Sequence, residues 1–380
     1  MKISFHVKTN LRYDGRVLAS VDAINKAYPN SDIRISLLPD GTGGAVDLPA
    51  NVTLDEIVVP MRNWKMRSLF RGGTILWYCI VDLVRTLKFR PNVVHIHDKT
   101  AAFAPFLYRI IRRNRCFLIY DDHEIFNRPR SFSDKIYWCF ERMIARMADE
   151  VIVANKQRGR IVKRVYGLSR PPVVIENFFY DRSQNRAVDY SSFQPTERIL
   201  RDQKNSGIKL LLHQGSLLDG RGLELLKQFP SRLPPDWKLC IIGPSPENYQ
   251  NSGLNASDRV LFLGKIQFEF LPKLYGYMDG AIILYLPGKL NNRYCAPNRL
   301  YQAISNGLPL VVNRSNPVLF EVVSKNGNGV GIASNNIDGD LDHYFTSFST
   351  LSSRASEILE DFHFDISARQ YVSIYARVDS

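Results

Sequence analysis

Short runs of β-branched and aliphatic residues alternate along the chain with longer segments whose apolar positions recur every three to four residues. In the first half, Lys2–Val7, Asp32–Leu38, Leu54–Val59, Val93–His97, Cys116–Tyr120, Glu150–Ala154 and Val173–Glu176 read as strands. Between them Val17–Ala27, Leu69–Phe89, Ala101–Arg112, Asp134–Met147 and Gln157–Val165 carry the helical period. Such alternation predicts an α/β protein with a parallel sheet covered on both faces. The pattern lapses from Asn177 to about Gly207, a polar stretch with room for one short helix. It restarts with strands at Lys209–His213, Lys238–Ile242, Val260–Leu263, Ala281–Leu286, Leu310–Val312 and Gly329–Ile332. Two β/α domains, residues 1–180 and 207–360, are thus predicted around a linker at 181–206, with no short-period repeat. Ligands of open parallel sheets bind beyond the carboxyl ends of the strands, and two such domains facing each other enclose a cleft.

Composition agrees with two interiors. The chain has 380 residues, more than one ordinary core holds, and 45% of them are apolar, which excludes a disordered or fibrous protein. Cys79, Cys116, Cys139, Cys240 and Cys295 are odd in number and widely spaced, so neither a disulfide framework nor a zinc site is expected and a reducing cytoplasm fits. His6 and Lys8 interrupt any signal-like apolar segment, and no run approaches the roughly 18–20 apolar residues that cross a bilayer. Charge changes the picture more. The total is 50 − 37 = +13, but residues 1–180 hold 29 basic and 17 acidic side chains (+12) and residues 181–380 hold 21 and 20 (+1). An anionic partner for the first domain follows: nucleic acid, anionic lipid or a phosphorylated substrate.

Candidate chemistry gathers at the strand ends. One strand closes with His95-Ile-His97-Asp98, the histidines on one face and Asp98 on the other, and no third metal ligand has recognisable spacing. The next closes with Tyr120-Asp121-Asp122-His123-Glu124, a density of ionisable groups that packing alone does not explain. The second domain opens with His213-Gln-Gly215-Ser216-Leu-Leu-Asp219-Gly220-Arg221-Gly222, where glycines admit a ligand close to the backbone and Arg221 suits a diphosphate. In Tyr294-Cys-Ala-Pro297-Asn298-Arg299-Leu-Tyr-Gln302-Ala-Ile-Ser-Asn-Gly307-Leu-Pro309, proline opens a helix whose N-terminus can seat phosphate, and Gly307 closes it.

Taken in order, these motifs, with Ile242-Gly243, Val260-Leu-Phe-Leu-Gly264, Asp14-Gly-Arg16-Val and a terminal Phe364-Asp-Ile-Ser…Tyr375, resemble the GT-B glycosyltransferases of family 4. The resemblance spans most of the chain. It implies two Rossmann-like domains with a last helix, within 361–380, crossing back to the first. It further implies transfer of a sugar from a nucleotide donor, UDP- or GDP-linked, held by the second domain, to a glycan or lipid-linked acceptor held by the first. Anomeric configuration would be retained, without metal or other cofactor, in surface-polysaccharide or glycoconjugate synthesis. His123, Arg221 and Lys265 fall at the catalytic positions. Gly215, Ser216, Gly243, Gly264, Ile266, Tyr294, Pro297, Asn298, Arg299 and Gln302 fall on the donor side, and Asp14, Arg16, His97, Asp98 and Glu124 on the acceptor side. Tyr294 and Gln302 stand where the family has two glutamates, and Ser216 where a basic residue is common. A sugar-nucleotide epimerase of the same fold and a non-catalytic membrane-binding relative remain alternatives. Asp338-Gly-Asp340 has the form of a metal motif in a polar stretch that suits a loop or helix cap.

From Arg62 to Arg90 seven basic residues and two tryptophans accompany one acid, Asp82, and a second cluster runs through Arg128, Arg130, Lys135, Tyr137, Trp138, Phe140, Arg142 and Arg146. These suit either a helix in the plane of an anionic membrane or a helix packed on the sheet with solvated flanks. A cytoplasmic protein, peripheral on the inner face of the cell membrane and without a nucleic-acid partner, is the expectation.

Overall fold

A computed structural model describes residues 1–11, 14–39, 46, 48–58, 71–113, 115–125, 131–181 and 188–378, with backbone alone at 39, 71–75, 132 and 133. Of the basic clusters, Arg62, Trp64, Lys65, Arg67, Arg128 and Arg130 lie outside the described residues. The chain divides into two compact units, Met1–Glu176 with Asp365–Ser380, and Asn177–Phe364.

The first unit is a seven-stranded parallel sheet of β1 (Lys2–Thr9), β2 (Asp32–Pro39), β3 (Val52–Glu56), β4 (Val93–His97), β5 (Phe117–Asp122), β6 (Glu150–Val153) and β7 (Val173–Val174), in spatial order β3-β2-β1-β4-β5-β6-β7. Its helices are α1 (Gly15–Ala27), α2 (Arg71–Phe89), α3 (Phe103–Ile111), α4 (Phe132–Met147) and α5 (Lys156–Tyr166). Strand order reverses after β3, so right-handed crossovers send α1 to one face and α2–α5 to the other. The cores agree. Val17, Val21 and Ile24 of α1 pack with Phe5, Ile35, Ile119 and the C-terminal Tyr371, Ile374 and Tyr375. Phe106, Ile144 and Val162 pack with Ile96, Tyr120 and Val153 on the opposite face.

The second unit begins with α6 (Gln194–Asn205), which lies in the stretch read as linker and is held by Glu197, bonded to Lys273 and Tyr277. The second sheet contains β8 (Lys209–Gln214), β9 (Trp237–Ile242), β10 (Val260–Gly264), β11 (Gly280–Ile283), β12 (Leu310–Asn313) and β13 (Gly329–Ile332), in order β10-β9-β8-β11-β12-β13. Between and after them run α7 (Leu223–Leu226), α8 (Pro246–Gln250), α9 (Leu271–Tyr275), α10 (Leu290–Arg293), α11 (Asn298–Ser305), α12 (Pro317–Asn326), α13 (Ile337–Thr346) and α14 (Phe348–Glu357). The last helix, α15 (Phe364–Tyr375), packs in the first unit, where Ser367 bonds the Glu176 carbonyl at 2.9 Å. All five cysteines are free thiols, and among the described residues no helix is long and apolar enough to cross a membrane.

Candidate functional site

The strands β8, β9 and β10 are neighbours, and each is closed by a glycine at positive φ: Gly215 (118°), Gly243 (107°) and Gly264 (67°). Backbone bonds tie them in a row. The Gly215 N–H donates to Ile242 O at 2.9 Å and the Gly243 N–H to Gly264 O at 2.7 Å. A Cβ on Gly243 would lie 3.1 Å from the Gly215 backbone, and one on Gly215 would lie 2.9 Å from Arg299 Nη1. The result is a shelf of bare backbone beside β8, where strand order reverses and ligands of such sheets bind.

Cations line this shelf. Gly222, at φ 79°, could not carry a side chain, because its Cβ would sit 2.5 Å from Leu284 Cβ. That close approach lets the Asp219–Arg221 turn pack against the end of β11, and the Leu286 N–H donates to Gly220 O at 3.2 Å. Arg221 is thereby brought 4.1 Å from the Tyr285 ring centroid, and the Arg299 guanidinium lies 4.6 Å from the same ring. Arg299 is buried. Its Nη1 donates to the Gln214 carbonyl, while Nε and Nη2 have no hydrogen-bond partner among the described residues. Buried donors in a native fold are normally paired, so two idle guanidinium nitrogens mark a place for an acceptor. His213, buried beneath, is pushed down to about 3 by burial and then by Arg299, and is neutral.

The helix α11 starts here, with Pro297 at its N-cap and Gly307 (φ 66°) just beyond its end. Asn298 is exposed and Gln302 is buried, its Oε1 3.4 Å from the Tyr275 hydroxyl, which also donates to Gln214. Ser216 and Lys265 are exposed, Ile266 is half-buried, and Tyr294 closes α10. Backbone amides, a helix N-terminus and guanidinium groups around bare glycines make a seat for a diphosphate. Asp338 and Asp340 lie in the first turn of α13: Asp338 pairs with Arg232, and Asp340 accepts from Arg314 (2.6 Å) and from the Ala333 N–H (2.8 Å). Both acids therefore have structural work.

At the carboxyl edge of the first sheet the side chains bond one another. Arg16 is buried and holds Asp121 through two bonds, at 2.9 and 2.8 Å, and donates to Ile175 O at 3.0 Å. Burial pushes the Asp121 carboxyl up, but Arg16 and His123 outweigh it and hold the group well below the usual range. His97 Nδ1 is hydrogen-bonded to His123 Nε2 at 3.0 Å, and these atoms lie 3.6 and 3.7 Å from Asp121 Oδ2. Burial drives His97 well below its ordinary value and His95 down to about 3, so both are neutral. His123 goes the other way, because Asp121 outweighs the effect of burial, and its side chain is 21% exposed. His95 stacks on His97 (centroids 4.4 Å) and is bonded to the Tyr375 hydroxyl at 2.9 Å. Asp14 caps α1 by accepting the Val17 N–H, Asp98 caps the turn after β4 through the Lys99 N–H, and Glu124 is exposed.

The structure thus unites Arg16, His97 and His123 around Asp121, sets Gly215, Gly243 and Gly264 in a row with Gly215 against Arg299, and brings Arg221 and Arg299 to Tyr285. It gives Asp14 and Asp98 capping roles. His95, His97 and Asp121 have the types and spacing to hold a cation, with donor atoms within 4.8 Å of one another. The Arg16 guanidinium already neutralises that carboxylate. Along the sequence Tyr285 looks like one more apolar position in a buried strand, and its place at the carboxyl end is the one local sign of a role at the site.

Two family models match in tandem: Glycosyltransferase Family 4 over residues 24–180 and Glycosyl transferases group 1 over residues 198–352. The chain belongs to the family 4 glycosyltransferases. No curated protein matches it in sequence. Among solved structures it is similar to sucrose-phosphate synthase from Thermosynechococcus elongatus, with 16% identity, TM-score 0.72, and 100% of this chain and 99% of that one covered. Anabaena HepE, solved with UDP and glucose, gives 16%, 0.71 and 99% of each chain. WaaG, a glycosyltransferase of lipopolysaccharide biosynthesis, gives 14%, 0.67, and 98% and 99%. At such identities these likenesses establish the GT-B fold. Both parallel sheets expected from the sequence are present, each with its Rossmann-like layering.

Proposed function

We propose that this glycosyltransferase takes its sugar from a UDP-linked donor and passes it, with retention and without a metal, to a glycan or lipid-linked acceptor of surface-polysaccharide synthesis at the cytoplasmic face of a membrane. The observation that carries the donor half is the glycine row with Arg221 and Arg299 beside it. The UDP and UDP-glucose bound by Anabaena HepE favour uridine over guanosine. Cleaving the sugar–phosphate bond leaves an oxocarbenium-like sugar and a diphosphate that gains negative charge. Arg221, the α11 amides and the idle Arg299 nitrogens stabilise that charge as it develops. Lys265 is the exposed cation that closes the same site. In a retaining reaction the departing phosphate takes the acceptor's proton, so no side chain need act as base. Gln302, neutral where the family has an acid, hydrogen-bonds the ribose without charge.

On the first unit, His123 is the residue assigned to the transferred sugar, and Asp121 favours its protonated form. A mass-spectrometric screen of nucleotide sugars with lipid-linked and free glycan acceptors tests the reading. Transfer from a UDP-sugar, and a melting temperature raised by UDP more than by GDP, are expected. Absence of transfer, hydrolysis and nucleotide binding across the panel would sink it.

A further inference from the structure

The helices α2, α3 and α4 share one face of the first sheet; α2 packs against α3, and Phe103 and Phe106 of α3 meet Phe140 of α4 with centroids 5.9 and 5.4 Å apart. Of the sixteen large apolar side chains exposed among the described residues, ten belong to these three helices and none to α1 or α15 on the opposite face. On α2 they are Leu76, Trp77, Ile80 and Val84, at 58, 47, 50 and 44% exposure. Those spacings place them in a single stripe along the helix, and exposed Lys88 continues it one turn on.

The stripe cannot turn inward. Asp82, on the other side of α2, is fully buried and accepts from Ser36 Oγ at 2.6 Å and from His6 Nδ1 at 3.0 Å, while His6 Nε2 is hydrogen-bonded to Ser4 Oγ at 2.8 Å. Exposing or orphaning this clamp would be costly, so it fixes which side of α2 faces solvent. Ile110 and Ile111 on α3, and Ile136 and Tyr137 on α4, extend the exposed apolar surface.

Charge on the same layer runs one way. The sequences of α2–α5 hold twelve basic residues and three acids. Of the acids, Asp82 and Glu141 are buried and Asp134 is spent in the α4 capping box. Lys88, Arg113, Arg115 and Lys135 are exposed, and among the described residues none has an acidic partner. Apolar side chains beside unpaired cations match a bilayer interface, where the former enter the acyl boundary and the latter meet anionic headgroups.

We propose that the α2–α4 face docks on an anionic lipid bilayer, with Leu76, Trp77, Ile80 and Val84 inserted and Lys88, Arg113 and Lys135 against the headgroups. This docking rests on the membrane-surface part of the function proposed above, but vesicle binding is read without sugar transfer, so either can fail alone. The test is flotation of the full chain with phosphatidylcholine vesicles, with and without phosphatidylglycerol. Salt-sensitive binding to the anionic vesicles is expected. The double variant Ile80→Glu/Val84→Glu, with an unchanged melting temperature, should bind about tenfold more weakly or worse, whereas Ile199→Glu, at an exposed site of the second unit, should bind as wild type. Wild-type protein that ignores anionic vesicles, or a double variant that binds them equally well, overturns the proposal. So does a wild-type dimer that the double variant splits, which would assign the face to a second copy of the chain.

Discussion

At the carboxyl edge of the first sheet the strands end in ionisable and ring-bearing side chains, Arg16 bonded to Asp121 and His97 to His123, with both Asp122 carboxylate oxygens and the Nε2 atoms of His95 and His97 lacking partners among the described residues; at the same edge of the second, β8, β9 and β10 end in glycines beside Arg299, two of whose nitrogens lack partners there too. Topology is shared, so topology does not decide which edge is filled with side chains and which is left as bare backbone. Side-chain volume does. Ionised and ring-bearing residues fill the first edge and bond across it. Glycines empty the second, and Arg221 and Arg299 beside it have no anionic partner among the described residues.

The comparison breaks most visibly if Asp121 is removed. Arg16 would be left buried without the carboxylate that neutralises it, so Asp121→Ala should cost about 3–5 kcal/mol in a urea titration. The double change Arg16→Met/Asp121→Leu should recover much of that loss, and nucleotide affinity in the second unit should not move. Equal destabilisation by the single and double variants would show that the pair does not act as a unit.

A sharper contrast comes from acid. His213 is neutral in the folded protein, with its pKa lowered to about 3 by burial. A depressed histidine gives stability that is intact above the unfolded value near 6.5 and lost as pH falls toward the folded one. Between pH 7 and 5 its share of that loss is about 2 kcal/mol. Replacing His213 by Phe should remove this share, leaving the losses due to His95 and His97. His123, raised in the fold, has the opposite sign: its contribution is present below the unfolded value and fades as pH rises through the folded one. Denaturant titrations of both proteins across this range provide the check.

The smallest effect is the most local. Arg221→Ala removes one half-buried cation beside the glycine row and should weaken nucleoside-diphosphate binding about tenfold, equivalent to about 1.4 kcal/mol, by calorimetry. Unchanged affinity would remove Arg221 from the site. Stability should hardly change, because Arg221 makes no ion pair among the described residues, whereas Asp121 is bound on two sides.

Much of this was legible in the chain. Strands such as Val93–His97 and Gly329–Ile332 have the limits their apolar runs predict, and Pro297 and Gly307 bracket α11 as their backbone preferences require. The apolar run Ala281–Leu286 outlasts its strand, because hydrophobicity continues after the chain leaves the sheet at Ile283. Tyr285 sits in that overrun, and no local signal separates a core tyrosine from one set between two arginines. The helix read at Ala101–Arg112 is interrupted because Asp98, at φ 66°, caps a short 3-10 turn before α3 begins. The linker 181–206 contains α6, whose polar sequence is held by Glu197 contacts from residues 76 and 80 positions away.

The sequence by itself determined the two β/α repeats, the glycines and prolines at the strand ends and the concentration of charge before residue 180, because period, backbone preference and charge are properties of neighbours along the chain. Only the tertiary structure decided that Arg16 closes on Asp121, that Arg221 and Arg299 converge on Tyr285, and that the apolar residues of α2 split into a buried clamp side and an exposed stripe. Those outcomes join residues as far apart as 105 positions, and they depend on which strands become neighbours, which the local pattern does not encode.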